Sequence, residues 1–330
     1  MYLMDGLTDA AAEVTRNGAR NVPVLEVFPM IADRLVGAPR YLFDDAATRT
    51  AVELTLGRPK VLREAIGNCR IPYPKLWVEW EEGARTRLRE IFGERSDPHR
   101  PLPTRVGFLV ECDANGRQGV VTWVWSAKVG GGLPFPNIGP ISGYFDLDRQ
   151  FPQAANRTEA LMGGNLANYW KGNPVQVQAL CSIWETADHR PNDDWGPNFL
   201  AAIGRERLPT TLAHAYADVY GEYIMMWAAI MLLTASRPIV TYTPIDLSRL
   251  NRARKKRGQP LRLDHTQVTM RLQQRPTDQV VRGPLGYSRK SPRVHLVSSY
   301  LARRGTAHWI VQPYWRGQGE TISRRVQVRG

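Results

Sequence analysis

Cysteine is scarce in this chain and poorly spaced for bridging or metal chemistry. Cys69, Cys112 and Cys181 lie far apart, make an odd count and form no CxxC pair. Neither a disulfide framework nor a cysteine zinc site is expected, and a reducing cytoplasm is the natural setting. The opening MYLMDGLTDAAAEV has no basic stretch followed by an apolar core, so no secretory signal is expected. Long apolar runs are missing too. Tyr223–Ala235 is 13 residues and includes Thr234, short of the roughly 18–20 that span a bilayer. Gly130-Gly131-Gly132 has neither the Lys-Ser/Thr ending of a phosphate-cradling loop nor the spacing of a dinucleotide fingerprint. No GxSxG elbow, HExxH or HxxxH spacing occurs, and no cofactor or membrane is expected as a partner.

Carboxylates become rare toward the C-terminus. From Thr241 to Gly330 there are 19 Lys+Arg against 4 Asp+Glu, a net of +15. Residues 1–240 hold 25 against 27, a net of −2, so nearly all of the chain's +13 comes from its last quarter. The densest part is Leu247–Arg262, LSRLNRARKKRGQPLR, where Arg252, Arg254, Lys255, Lys256 and Arg257 occupy five of six positions. A polyanion is the partner that such a field selects.

The sequence does hold ample material for folded cores, with 43% apolar residues, 10 Trp and 12 Tyr in 330 residues. That length favours two domains. Thr8–Asn17 reads as a short helix, and Pro29 interrupts the apolar stretch Pro23–Val36. Asp44-Asp45 suit the start of a helix over Ala46–Leu56, and Pro59 suits the first position of another. In IPYPKLWVEW, Leu76, Val78 and Trp80 alternate with Trp77 and Glu79, a strand with apolar groups on both faces. Glu81–Phe92 reads as a short charged helix. Arg105–Glu111 and Gly119–Ala127 read as strands joined through Asn115-Gly116, a hairpin signal because both residues tolerate positive φ. Gly130–Gly143 reads as loop, and a helix near Thr158–Leu161 breaks at Gly163-Gly164. Pro174–Trp184 fits a helix or a strand, and His189–Pro197 a polar loop. A long buried helix follows over 212–236, capped by Thr210 or Thr211 and stopped by Pro238. Ile239–Tyr242 is extended and Leu247–Lys256 is helical. Beyond that the period falls to two, over His265–Leu272, Arg293–Arg303, Ala307–Tyr314 and Thr321–Val328. The expected fold is α+β: a mixed antiparallel sheet with helices over residues 1–240, then a small basic β-rich module over 247–330.

The series LNRARKKRGQPLRLDHTQV, SPRVHLVSSYLARRG and HWIVQPYWRG resembles the C-terminal pattern of uncharacterised proteins encoded in tailed phages and prophages. IPYPKLWVEWEE is similar to a Pro–aromatic–Trp–Glu element of the same proteins. The resemblance implies a phage-gene setting in a bacterial cytoplasm and carries over no catalytic residue.

Phosphate contact is expected from Arg252, Arg254, Lys255, Lys256 and Arg257, widened by Arg289, Lys290, Arg293, Arg303 and Arg304. Tyr287, Tyr300, Trp309, Tyr314 and Trp315 are interleaved and suited to stacking on bases. A solvated basic face with core aromatics is the plain alternative. Catalytic or metal candidates are His265, His295 and His308, with Asp264 and Glu320 nearby. The acidic sets are Asp146 with Asp148, Glu111 with Asp113, and Glu185, Asp188, His189, Asp193 and Asp194. The leading expectation is a phage- or prophage-encoded nucleic-acid-binding protein, with DNA ahead of RNA and no catalytic residue assigned. A metal-dependent nuclease and a virion-assembly or host-factor-interacting protein are the rivals.

Overall fold

The computed structural model describes residues 2–18, 23–85, 103–127, 134–151, 174–203, 208–235, 239–270, 295–297, 300–305, 307–311 and 314–316. Its centre is a nine-stranded sheet. Strands β1 (Arg40–Phe43), β2 (Lys75–Glu81), β3 (Arg105–Cys112), β4 (Gln118–Ala127), β5 (Phe135–Ile138), β6 (Ile141–Asp146), β7 (Ala187–Pro191), β8 (Val240–Ile245) and β9 (His265–Met270) take the order β7-β6-β4-β3-β2-β1-β9-β8. β5 pairs with the second half of β4 and β6 with the first half. β1 runs parallel to both β2 and β9, and the other pairs are antiparallel. Two two-stranded antiparallel sheets follow. One pairs β10 (His295–Val297) with β13 (Tyr314–Arg316), the other β11 (Tyr300–Arg304) with β12 (Ala307–Val311). The fold is therefore α+β, with a small β-rich C-terminal part.

Helices cover both faces, which is why the central strands are apolar on both sides. One core takes Leu76, Val78 and Trp80 from β2 with Phe108 from β3 and Trp123 from β4. Against these pack α3 (Asp45–Gly57), α4 (Pro59–Gly67), α5 (Pro174–Trp184) and α7 (Leu208–Leu233). The other core takes Trp77, Leu109, Val124 and Leu42 against α1 (Leu3–Asn17) and α2 (Val27–Val36). The alternation in KLWVEW is thus resolved as a strand between two helical layers. No described helix is long and apolar enough to cross a membrane.

Local chemistry explains several element ends. The Asp44 side chain accepts the Ala47 amide at 2.8 Å and caps α3, and Pro59 opens α4. The β3–β4 turn requires Gly116, whose φ of +66° is left-handed and whose Cβ would collide with the backbone of Ile71. Other elements differ from the sequence reading. Pro29 does not interrupt α2, because it sits in the first turn where amides have no intrahelical acceptor. The stretch Gly130–Gly143 contains β5 and the start of β6, because the backbone of each is paired by β4. The polar segment His189–Pro197 holds the end of β7 and the start of α6 (Gly196–Ile203). Thr210 and Thr211 lie inside the first turn of α7 and do not cap it. Thr158–Leu161, Thr321–Val328 and most of Glu81–Phe92 lie outside the described residues.

The sheet also runs across the boundary that the sequence suggests between 240 and 247. β9 forms a parallel pair with β1 and an antiparallel pair with β8. The β11–β12 hairpin, turning on Gly305 at φ +60°, places Leu301 and Ile310 in the core beside α3 and α4. The described parts of the basic tail, β9 and the β11–β12 hairpin, pack on the rest of the molecule.

α1 begins at Leu3, five residues before the expected start, because its cap comes from far away in sequence. The fully buried Glu79 carboxylate on β2 accepts the amides of Leu3 at 2.6 Å and Met4 at 3.2 Å. It also accepts from Trp77 Nε1 at 3.2 Å and Arg105 Nε at 2.7 Å. One negative charge thereby satisfies a helix terminus and neutralises a buried guanidinium. Glu79→Ala leaves Arg105 buried without this partner and the first amides of α1 without an acceptor. The expected cost is about 3–5 kcal/mol, read as a lower guanidinium midpoint with an unchanged m-value. A loss below about 1 kcal/mol, the range of an exposed pair, contradicts this role.

Candidate nucleic-acid interface

The basic segment folds as α8 (Ser248–Lys256), preceded by Asp246, whose carboxylate accepts the Ser248 amide at 2.8 Å. That bond, helped by the charge of Arg252, holds the Asp246 carboxyl below its usual range. Arg254, Lys255 and Lys256 fill the last turn, where cations oppose the negative end of the helix dipole. Gly258, at φ +65°, then lets the chain turn back.

One side of α8 is fixed to the body. Asn251 grips the backbone of Arg262 from both sides, its Nδ2 donating to the carbonyl at 2.9 Å and its Oδ1 accepting the amide at 2.8 Å. Arg254 donates to the Pro260 carbonyl at 2.5 Å and reaches Asp9 of α1 at 3.3 Å. Arg262 forks onto both oxygens of Asp9 at 2.9 Å and approaches Asp5 at 3.5 Å. Burial raises the pKa of Asp5, and Arg262 opposes that shift.

The opposite side is open. Arg249, Arg252, Lys255 and Lys256 fall at spacings of three, four and seven, on one face of the helix, and all are exposed, as is Arg257 beyond it. No described carboxylate forms an ion pair with Arg252, Lys255, Lys256 or Arg257. The sequence read the basic run as one unit, and the fold divides it. Arg254 turns inward as a brace, while its neighbours face solvent.

The remaining candidates are dispersed. Arg303 pairs with Glu64 of α4 and donates to the Gly305 carbonyl at 3.0 Å, and Arg304 at the end of β11 is exposed. Trp309 is half-buried on β12, and Tyr300 lies under the Arg58 guanidinium at 5.0 Å. Tyr314 and Trp315 belong to β13, and their side chains are outside the described set; Arg289, Lys290, Arg293 and Tyr287 lie outside the described residues altogether. Other aromatics are exposed, Phe135 and Tyr2 among them, and two more lie near β8 and β1. Tyr242 on β8 and Tyr73 before β2 are 44% and 40% exposed, with Tyr41 of β1 half-buried between them. Pro244 is a sequence signal for Tyr242 alone, since a proline within a strand marks a sheet edge and so exposes its strand neighbours; nothing local points to Tyr41 or Tyr73.

His265 and His308 lie on strands of different sheets, β9 and β12, and the side chain of His295 on β10 is outside the described set. The acidic sets are held by arginines: Asp148 by Arg117, Glu111 and Asp194 by Arg34, Asp188 and Asp193 by Arg190. The Arg117 and Arg190 hydrogen bonds hold Asp148 and Asp193 below the usual carboxylate range. Asp113 closes its turn by accepting the Arg117 amide at 2.9 Å. Among the described residues no three His, Cys, Asp or Glu are grouped to hold a metal ion.

The thiols are poor nucleophiles. Burial pushes Cys69 up to about 12, and Cys112 and Cys181 up to about 11. They stay protonated at neutral pH, and the thiolate is the reactive form. A raised folded pKa stabilises the fold below the unfolded value and loses that contribution as pH climbs through the folded value. Stability should therefore fall between about pH 9 and 12. Native protein at pH 8 should react with a disulfide reagent far more slowly than unfolded protein, and equal rates contradict the assignment. Searched against protein-family models, curated proteins and solved structures, the chain matches none of them.

Proposed function

We propose that this protein binds nucleic acid through the outward face of α8. The observation that carries the reading is the segregation of charge on that helix. Its inward cation is braced against Asp9, and its outward cations are exposed without carboxylate partners among the described residues. A helix docked by its inner side presents these cations from a fixed backbone, which suits a row of phosphates because little backbone freedom is lost on binding. Nine helical residues span about 13 Å, the axial rise of about four phosphates along one strand of a duplex.

Arg249, Arg252 and Arg257 supply planar forks for phosphate oxygens, and Lys255 and Lys256 supply compact charges. These contacts position a backbone and read no sequence. The resemblance of the C-terminal segments to phage-encoded proteins accords with a role on a phage genome or transcript, with DNA as the first polymer to test.

Counterion release makes such binding steeply salt-dependent. Replacing Arg252, Lys255, Lys256 and Arg257 by Ala together, with Arg254 retained to keep α8 docked, should flatten the plot of log affinity against log salt. The expected change is about three to four units, since each phosphate contact contributes about 0.7–0.9. Fluorescence anisotropy with a labelled oligonucleotide across about 50–200 mM salt measures it. An unchanged slope in a folded quadruple variant removes α8 as the interface.

A further inference from the structure

We infer that the polymer is engaged as a single strand, its unpaired bases stacking along the β8 edge of the sheet. This rests on the nucleic-acid reading above and goes beyond it in naming the form of the polymer. The reason is continuity. β8 is the outermost strand of the nine-stranded sheet and leads into α8 after only Asp246 and Leu247. Where strand passes to helix there is an open groove of about 480 Å³, walled by Tyr41, Pro39, Pro244 and Ile245. Farther along β8 stands Tyr242, whose hydroxyl donates to the Leu233 carbonyl at 2.9 Å. The next residues, Thr234 and Ala235, line a second cavity of about 410 Å³ together with Trp309, His308 and Arg70. β8 thus runs from the groove beside the start of α8 toward a cavity lined by Trp309, with Tyr41 and Tyr242 on the same sheet face as that cavity.

The tyrosines are held ready. The Tyr41 and Tyr242 rings meet edge-on at 5.9 Å, and the Tyr41 and Tyr73 hydroxyls lie 3.3 Å apart. Fixed rings exposed on a surface give bases a stacking platform at small entropic cost, and every base has a face that can use it. A duplex hides those faces. The groove also holds the carboxylates of Asp246 and Asp264 and the guanidinium of Arg40, which donates to the Asp264 carbonyl at 2.5 Å. Carboxylates repel phosphates and accept hydrogen bonds from base amino groups. They therefore favour a strand whose backbone follows α8 and whose bases turn toward β8. His308, nine-tenths buried in the second cavity, has both ring nitrogens without a hydrogen-bond partner among the described residues, Glu64 standing 3.6 Å from Nε2.

The test compares a labelled single strand of about 20 nucleotides, long enough to cover more than one such site, with the duplex of the same sequence. Anisotropy at low salt should show the single strand bound at least about tenfold more tightly. Tyr73→Ala and Tyr242→Ala should each weaken single-strand binding by about tenfold, the effect of losing one stacked base. Duplex affinity and the single-strand salt slope should stay unchanged. Tyr242→Phe, which keeps the ring and drops only the bond to Leu233, should bind almost as wild type and guards against a folding defect in the alanine variant. Equal binding of both forms, untouched by the tyrosine changes, overturns the single-strand inference while leaving α8 as a phosphate site. Failure of both forms to bind with salt dependence removes the nucleic-acid reading itself. Tyrosine changes that abolish a self-association of the chain and leave nucleic-acid binding intact overturn the inference and identify the edge as a protein contact.

Discussion

The buried carboxylate of Glu79 is the constraint from which the rest of this molecule follows. It sits in the centre of a sheet, where an unpaired charge is costly, and is stabilised by four donors at once: two helix amides, an indole and a guanidinium. Because the amides are those of Leu3 and Met4, the same group fixes where α1 begins and which way it points. Arg105 completes the arrangement by reaching Glu81 at 2.6 Å and lying against the Tyr2 ring at 5.1 Å. The first turn of α1 is thus tied to β2 and β3 by charge, hydrogen bonds and packing together.

That placement decides which cations are free. Asp5 and Asp9 lie four residues apart on α1 and so share a face. Arg262 meets both and Arg254 meets Asp9, and this pins one side of α8. The remaining cations of α8 then point outward by helical geometry alone. Arg254 and Arg262 accordingly serve the fold, holding the other cations in a fixed row. The C-terminal hairpin repeats the division on a smaller scale, with Arg303 anchored to Glu64 and Arg304 exposed. Formal charge along a sequence overstates what a surface offers, because part of it is consumed in docking.

The sequence disclosed what depends on near neighbours. The two-faced strand around Trp77, the turn at Asn115-Gly116, the Asp44 cap, the Pro59 start and the helix over the basic run all rest on spacing or backbone preference within a few residues. What it concealed depends on distant partners. The start of α1 is set by a carboxylate 76 residues away, and β7 inside a polar segment exists because β6 supplies its hydrogen-bond partners. Arg254 is indistinguishable from Lys255 in a basic run until Asp9 is brought against it. Tyr41, Tyr73 and Tyr242 come from three separate segments, so no local pattern joins them. The aromatics nearest the charges in sequence include Tyr300, which is covered by Arg58, and half-buried Trp309.

The central claim is that the open face of α8 meets the polymer while the braced face holds the helix in place. Lysine footprinting tests it without mutation: brief acetylation with and without a bound oligonucleotide, followed by peptide mass spectrometry. Protection confined to Lys255 and Lys256, with exposed Lys60 on α4 and half-buried Lys75 on β2 modified equally in both samples, is the predicted result. Uniform protection of all four, or none at Lys255 and Lys256 under conditions where the oligonucleotide is bound, contradicts it.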